Sequence, residues 1–314
     1  MIDYKTISLH KPVMRQEAIG YLVTPDASVY VDCTVGAGGH AYSILECATE
    51  YSSLIGLDID PQAIDIARQN LDIYAERVTL VKGNFADLKQ ILSQLGVSEV
   101  DGIIMDLGVS SIQLDTTERG FSFRSNAPLD MRMDQTVGNP VSYDLNKLGA
   151  NDLESIIREF GEERFARRIA NNIIAAREIS PILMTKQLAD IVWRSKPKSK
   201  ESINPATRTF QAFRIYKNQE LANLTAGVQQ AVSALKRGGR ICVISFHSLE
   251  DRIVKNGFRT MARGCVCPPE MPKCICNHKP ILKIITKQPI KPTEAEITAN
   301  PRSRSAKLRV AEKI

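Results

Sequence analysis

The chain has 314 residues, of which 43% are hydrophobic, so it can bury a large core and is not a disordered chain. No apolar run is as long as a membrane span, and Met1 to Lys5 lack the apolar centre of a signal peptide. The seven cysteines are odd in number, which favours the reducing cytoplasm. The formal net charge of +6 suits a polyanionic partner.

The first predicted strand leads into a glycine-rich turn, within the stretch from Val29 to Ala41. Gly36, Gly38 and Ala41 fit the G-x-G-x-x-G/A pattern of dinucleotide-binding turns. Glycines let the backbone approach a ligand closely, and the helix that follows offers free N–H groups. Asp58 comes at the distance typical of an acid that accepts hydrogen bonds from a ribose. The turn fits NAD and S-adenosylmethionine equally well, and a turn without a ligand is a third interpretation.

Two more predicted strands continue the alternation of strands and helices. Asp60 is expected to cap a helix that begins at Pro61, and Val78–Lys82 is predicted to be a strand ahead of a loop with Phe85. This aromatic ring either stacks on an adenine or packs into the core. The fourth strand, Val100–Asp106, is an almost continuous apolar run, which is typical of a parallel sheet covered on both faces.

Three acidic residues come at the carboxyl ends of predicted strands, or just beyond them: Asp32, Asp58 and Asp106. Open α/β sheets bind and act on ligands at this edge. One carboxylate at such an edge is ordinary, but three together predict a functional site.

The middle of the chain departs from this alternation. Residues 141–200 carry helical patterns, with Asn151 as the expected cap of one helix, so a small helical insertion is predicted before the next strand, Arg240–Ser245. Asn204 and Pro205 are expected to cap a long helix with a polar stripe that faces either solvent or RNA.

The end of the chain predicts an antiparallel hairpin, formed by residues 281–286 and 306–311, at the end of the parallel sheet. His247 and Ser248 follow the preceding strand side by side. No G-x-S-x-G elbow surrounds this serine, so a hydrolase is not expected.

Four of the cysteines lie in two close pairs, Cys265-x-Cys267 and Cys274-x-Cys276, with His278 just beyond. Four thiolates, or three thiolates with the imidazole, are a ligand set for zinc. The spacing within each pair is tighter than in most zinc sites, so free thiols are the favoured interpretation and no metal site is assigned.

Several longer blocks of mixed polar and apolar residues are more specific than a glycine turn. They are Asp106–Ser111, Gln113–Asp115, Glu118–Phe123, Pro128–Asp134, Gly161–Ala166, Asn204–Gln211, Ile244–Ile253 and Asn300–Arg304. Through these blocks, which extend over nearly the whole chain, the sequence resembles the bacterial ribosomal small-subunit (16S) RNA cytosine-N4 methyltransferase family. The resemblance implies an α/β class I methyltransferase core, with a Rossmann-like, mostly parallel sheet, a C-terminal antiparallel strand and a smaller inserted helical domain. We expect the core to comprise residues 1–112 and 204–314, and the mainly helical insertion to comprise residues 113–203.

The resemblance also implies that S-adenosylmethionine is the cofactor and that the exocyclic N4 of a cytidine in the decoding region of 16S rRNA is the acceptor. Carried over position by position, the cofactor contacts of the family fall on Gly38, Gly39, His40, Asp58, Phe85, Asp106 and Gln113. The sulfonium methyl is already electrophilic, so catalysis is expected to depend on alignment and the exclusion of water. Asp106 is the candidate catalytic residue, because an acceptor for the N4–H groups favours the localised lone pair that the attack needs.

The expected partner is 16S rRNA in the small ribosomal subunit. Arg132, Arg208 and Arg214 are predicted to contact phosphates or base edges, and Phe121 or Phe123 either stacks on a flipped base or packs in the core. The competing interpretations are an NAD-dependent dehydrogenase and a non-catalytic RNA-binding protein. No membrane partner is expected, and a homodimer is an open alternative to a monomer.

Overall fold

The computed structural model describes residues 12–197, 204–265, 267, 271, 275–276 and 279–314. The chain divides into two compact units. The sheet unit extends to Gly108 and resumes at Leu221, and the helical unit is Val109–Glu220. None of the described helices is long and apolar enough to span a membrane.

Strands and helices alternate in the sheet unit, whereas the segment between β4 and β5 is helical. The strands are β1 (Val29–Asp32), β2 (Ser53–Asp58), β3 (Val78–Lys82), β4 (Val100–Asp106), β5 (Leu235–Ser245), β6 (Leu282–Ile284) and β7 (Lys307–Lys313). The helices are α1 (Arg15–Leu22), α2 (Gly39–Cys47), α3 (Pro61–Asn70), α4 (Leu88–Gln94), α5 (Ser111–Asp115), α6 (Val141–Lys147), α7 (Ala150–Gly161), α8 (Ala166–Ile179), α9 (Thr185–Ser195), α10 (Thr207–Asn218), α11 (Glu220–Ala234), α12 (Ser248–Ala262) and α13 (Glu294–Ala299).

The strands form one sheet in the order β3-β2-β1-β4-β5-β7-β6. Strands β1 to β5 are all parallel to one another, whereas β7 is antiparallel to both β5 and β6. This confirms the predicted fold class, a mostly parallel α/β sheet with a C-terminal antiparallel strand. Strand β1 lies between β2 and β4, so the carboxyl ends of these three strands meet at one edge of the sheet.

The apolar run of β4 is buried on both faces, as predicted. Ile103 and Met105 join one hydrophobic cluster, and Ile104, whose side chain points the other way, joins a second cluster. Asp60 caps α3 by accepting a hydrogen bond from the Gln62 N–H (3.1 Å), and Pro61 occupies the first turn, where its missing N–H costs no hydrogen bond.

The helical unit has its own apolar core. Amphipathic helix α7 contributes Leu153, Ile156 and Ile157, all buried. This helix begins at Ala150 with Gly149 at the cap, so the expectation that Asn151 is the cap is wrong.

Helix α10 lies in the helical unit and packs against α7. The contact is close, because a Cβ on Gly161 would lie 2.7 Å from the backbone oxygen of Arg208. The helix starts at Thr207, later than expected, and Asn204 accepts a hydrogen bond from the Ala206 N–H (2.9 Å) ahead of it. Phe210 and the following turns of α10 are buried in this core, which is why the helical unit extends to Glu220 and not only to residue 203.

Candidate active site

The structure brings together the three acidic residues that the sequence places at strand ends. In the parallel sheet, Asp32 on β1 is in register with Gly56 on β2 and Ile104 on β4. Asp58 and Asp106 end these neighbouring strands. The charges of Asp58 and Asp106 both act on the pKa of Asp32, which shows that the three carboxyl groups share one site.

The glycine turn after β1 has a backbone path that side chains disfavour. Gly36 has a φ of 51°, and Gly38, the N-cap of α2, has a φ of 89°. A Cβ on Gly38 would also lie 3.1 Å from Cγ of Leu71. Asn70 holds the turn in place by donating from Nδ2 to the Ala37 carbonyl oxygen (2.8 Å). The turn therefore presents bare backbone and the first N–H groups of α2 at the sheet edge.

Asp58 is fixed by two backbone N–H groups. Gly36 donates to its Oδ2 and Asp60 donates to its Oδ1, each at 2.9 Å. Burial raises the pKa of Asp58 to about 6, although these hydrogen bonds lower it in part. Each carboxylate oxygen can accept a second hydrogen bond, so Asp58 can still receive two hydroxyl groups of a ligand.

Asp32 is almost fully buried, with 1% of its surface exposed. Its Oδ1 accepts from the Thr34 N–H (3.1 Å), whereas its Oδ2 has no hydrogen-bond partner among the described residues. Burial raises the pKa of Asp32 to about 7; the nearby His40 lowers it and Asp106 raises it. A buried oxygen without a partner is costly, so this carboxyl group is prepared for a donor or a cation that the protein itself does not supply.

His40, on the first turn of α2, lies beside Asp106. Its Nε2 is 3.5 Å from Oδ2 of Asp106, an ion-pair distance, and neither ring nitrogen has a hydrogen-bond partner in the described chain. Burial lowers the pKa of His40, but the neighbouring carboxylate of Asp106 outweighs burial, and the pKa is raised on balance. The imidazole is thus the electrostatic neighbour of one oxygen of Asp106.

Asp106 keeps its other oxygen unengaged. Oδ1 has no hydrogen-bond partner among the residues described, and the side chain is 24% exposed. The Asp106 backbone N–H donates to the hydroxyl of Thr34 (2.7 Å), which fixes the end of β4 against the turn after β1. Thr34 was not among the predicted site residues, because nothing in its sequence neighbourhood indicates a contact with a residue so distant in the chain.

Phe85 follows β3 and packs against α11. Its ring is so close to Gly227 that a Cβ there would lie 2.3 Å from Cδ2 of Phe85. The ring is partly buried and lies at the border of the hydrophobic cluster under the sheet. It therefore packs in the core at one side and keeps part of its surface for another contact.

Gln113 lies in the helical unit and caps α5. The Gln113 N–H donates to the Ser110 hydroxyl, and the Ser110 N–H donates to Oε1 of Gln113, each at 3.2 Å. The side chain is 3% exposed. Its role as a cofactor contact stays a prediction.

The three predicted RNA-binding arginines have different surroundings within the helical unit. Arg132 forms a two-pronged ion pair with Asp130 (2.7 and 2.8 Å) and also donates to backbone carbonyls of its own loop. Arg214 forms a two-pronged pair with Glu220, at 2.9 Å for both contacts. Arg208 is exposed, and its guanidinium has no partner in the described part of the chain. Of the three, Arg208 is best placed to bind an external phosphate.

Three further side chains considered in the sequence have structural roles. Phe121 is buried in the core of the helical unit, and Phe123 packs edge-on against Phe210, with ring centres 5.2 Å apart. In the sheet unit, His247 is the N-cap of α12 and accepts at Nδ1 from the Glu250 N–H (3.4 Å). These contacts favour core packing for both phenylalanines and a capping role for the histidine.

Known proteins match this chain over almost its whole length. Residues 7–314 match the MraW methylase family. The chain is 50% identical over 307 residues to the ribosomal RNA small subunit methyltransferase H of Geobacter sulfurreducens, covering 97% of this chain and 99% of that protein. It is 51% identical over 307 residues to the protein of the same name from Citrifermentans bemidjiense, covering 97% of this chain and 98% of the relative.

Proposed function

The chain belongs to the MraW methylase family, and from this premise we propose that it transfers a methyl group from S-adenosylmethionine to N4 of a cytidine in the decoding region of 16S rRNA. The name that its relatives share supports ribosomal small-subunit RNA as the substrate class. The observation that carries the proposal is the cluster of Asp32, Asp58 and Asp106 around the glycine turn. A substrate within the ribosome places the protein in the cytoplasm.

The residues at the sheet edge fit S-adenosylmethionine better than NAD. S-adenosylmethionine carries a net positive charge, whereas the pyrophosphate of NAD is negative and would lie among three carboxyl groups. The unpartnered Oδ2 of Asp32 suits the cationic end of the cofactor. Asp58 suits the ribose hydroxyls, and the bare backbone at Gly38 and Gly39 allows a close approach.

When bound, the cofactor supplies an electrophilic methyl group, so the chain has to position the acceptor and remove a proton. Oδ1 of Asp106 accepts a hydrogen bond from the cytosine N4–H, which favours a lone pair directed at the methyl group. His40 lies beside the opposite oxygen, so Oδ1 is the oxygen left for the acceptor. After transfer, N4 carries an extra proton, which passes to Oδ1 and then to solvent. Proximity and orientation supply most of the acceleration.

Phe85 is proposed to contact the adenine ring, and Gly227 gives a test that leaves Phe85 in place. Gly227→Ala would push the ring away, because its Cβ would lie 2.3 Å from Cδ2 of Phe85. Stacking of a base on an aromatic side chain contributes roughly 1–3 kcal/mol, so we expect about tenfold weaker binding of S-adenosylmethionine by calorimetry. The control is Gly257→Ala on α12, where the new Cβ meets nothing closer than 3.5 Å. Equal affinities of the two variants would show that Phe85 serves core packing alone.

Arg208 is proposed to bind an rRNA phosphate. We expect Arg208→Ala to weaken binding of small ribosomal subunits several-fold and to reduce the slope of log affinity against log salt by about one. Arg168→Ala is the matched control, because Arg168 is also exposed on a helix of the same unit and has no partner among the described residues. Filter binding over a salt series measures both quantities. An unchanged slope for Arg208→Ala would remove this residue from the RNA interface.

The function is tested by incubating the purified protein with methyl-labelled S-adenosylmethionine and small subunits from a strain that lacks the gene. Nucleoside analysis of the digested RNA is expected to find the label in N4-methylcytidine at one site. Label in another nucleoside would contradict the proposed acceptor. No label, with cofactor binding shown separately, would contradict the proposed substrate. Sedimentation of the same preparation distinguishes a monomer from a homodimer.

A further inference from the structure

The segment that joins α12 to β6, residues 263–280, is the richest in cysteine in the chain. Its two ends are adjacent, because the Ile281 N–H donates to the Met261 carbonyl oxygen (2.9 Å). The described apolar residues of the segment do not form a core: Met271 is 38% exposed and Ile275 is 70% exposed.

Three thiols of this segment lie together. The Sγ atoms of Cys265, Cys267 and Cys276 are all within 4.8 Å of one another, and those of Cys265 and Cys276 are 3.8 Å apart. In a tetrahedral zinc site with Zn–S bonds of about 2.3 Å, neighbouring sulfurs are about 3.8 Å apart by geometry. A disulfide requires a separation of about 2.05 Å, so these sulfurs are not bonded to each other, and their spacing matches that of ligands to one zinc ion.

We propose that Cys265, Cys267 and Cys276 bind a structural zinc ion, which the sequence spacing alone left unassigned. Each thiol gives up its proton as its sulfur binds, and no group is oxidised or reduced. Soft thiolates in tetrahedral geometry select zinc over harder divalent cations. Cys274 and His278 stand next to Cys276 in the sequence and are the candidates for the fourth ligand; both lie outside the described residues.

The zinc ion supplies stability that the exposed side chains of Met271 and Ile275 do not provide. The segment leads into β6, a short edge strand that is separated from β4 by β5 and β7. Loss of the zinc ion is therefore expected to loosen this edge of the sheet and to leave the residues around the glycine turn unchanged. The inference concerns a structural site and stands whether or not the proposed substrate is correct.

Metal analysis of the full-length protein, prepared without a histidine tag, tests the proposal. Inductively coupled plasma mass spectrometry is expected to find about one zinc per chain and no iron. Cys265→Ser and Cys276→Ser should each lose the zinc, whereas Cys47→Ser should keep it, because Cys47 is an exposed thiol on α2 far along the chain. Comparison of Cys274→Ser with His278→Ala identifies the fourth ligand. The proposal is overturned if the unmodified protein holds no zinc after incubation with zinc. It is also overturned if both Cys265→Ser and Cys276→Ser retain the zinc.

A second measurement avoids variants that fail to fold. The native protein is alkylated with and without a zinc chelator, and the modified cysteines are identified by mass spectrometry. Cys265, Cys267 and Cys276 are expected to react at least tenfold faster after chelation, whereas Cys47 reacts at the same rate in both samples. Equal rates for the three cysteines, or a disulfide between two of them in freshly prepared protein, contradict a zinc site.

Discussion

Asp106→Ala is expected to reduce the rate of methyl transfer about 10²–10⁴-fold, the range typical for removal of a group that orients the acceptor and takes its proton. The physical reason is the geometry of the carboxyl group: His40 Nε2 lies 3.5 Å from Oδ2, and Oδ1 has no partner in the described chain. Single-turnover kinetics at saturating cofactor measure the rate of the chemical step. Calorimetry with S-adenosylhomocysteine, which lacks the transferred methyl group, measures the affinity of the cofactor site separately.

Two comparisons make the Asp106 prediction specific. Asp65→Ala removes an exposed carboxylate from α3, whose ion-pair partner is Arg68 on the same helix, and should leave the rate unchanged. Asp106→Asn keeps an acceptor oxygen but cannot take a proton, so it should retain cofactor affinity and still transfer slowly. A loss of affinity as large as the loss of rate would assign Asp106 to cofactor binding alone.

The sheet edge could be predicted from the sequence because its signals are local. An apolar run that ends in an acidic residue indicates a buried parallel strand, and the ends of parallel strands share an edge. The sequence therefore predicts that Asp32, Asp58 and Asp106 lie together. The cap of α3 at Asp60 was predictable for the same reason, since the cap and the helix are adjacent in the chain.

The partners of side chains could not be predicted, because they depend on contacts between distant segments or across a turn. The polar helix stripe predicts that Arg214 faces solvent or RNA, but Gln219 takes a φ of 51° and turns the chain, so that Glu220 pairs with Arg214. The contact between Thr34 and the Asp106 N–H joins the turn after β1 to the end of β4. A helical pattern shows which face a side chain occupies, but not what that face contacts.

The pH dependence of stability gives a second large effect, which arises from Asp32. Burial raises the pKa of this carboxyl group from 3.8 to about 7. The folded protein therefore holds the Asp32 proton at pH values where the unfolded chain has lost it. The contribution of Asp32 to the free energy of unfolding is therefore greatest below about pH 4 and is lost as the pH rises through about 7.

Asp32→Asn cannot ionise, so the cofactor-free variant should become more stable than the unmodified protein as the pH rises. The difference in the free energy of unfolding should grow by up to about 4 kcal/mol between about pH 4 and pH 8, because one pKa unit corresponds to about 1.4 kcal/mol. Urea denaturation at a series of pH values measures it. The raised pKa of His40 acts in the same direction, and because the charge of Asp32 is one of its causes, Asp32→Asn removes that part as well.

Asp101→Asn is the matched control, because the sign is reversed at this residue. Burial tends to raise the pKa of Asp101, but the N–H groups of Ser28 and Val29 and the ammonium of Lys236 lower it on balance. Its contribution to stability is therefore present at neutral pH and lost in acid, so Asp101→Asn should destabilise the protein at pH 7. Parallel pH curves for Asp32→Asn and the unmodified protein would contradict the assigned role of Asp32.

The instability that Asp32 introduces has a functional consequence. A cationic cofactor near this carboxylate favours its ionised form, so binding of S-adenosylmethionine should release a proton below about pH 7 and stabilise the protein more at pH 8 than at pH 6. Asp32→Asn should bind the cofactor more weakly and show no such difference. Thus the same buried oxygen that destabilises the cofactor-free protein discriminates in favour of the positively charged cofactor.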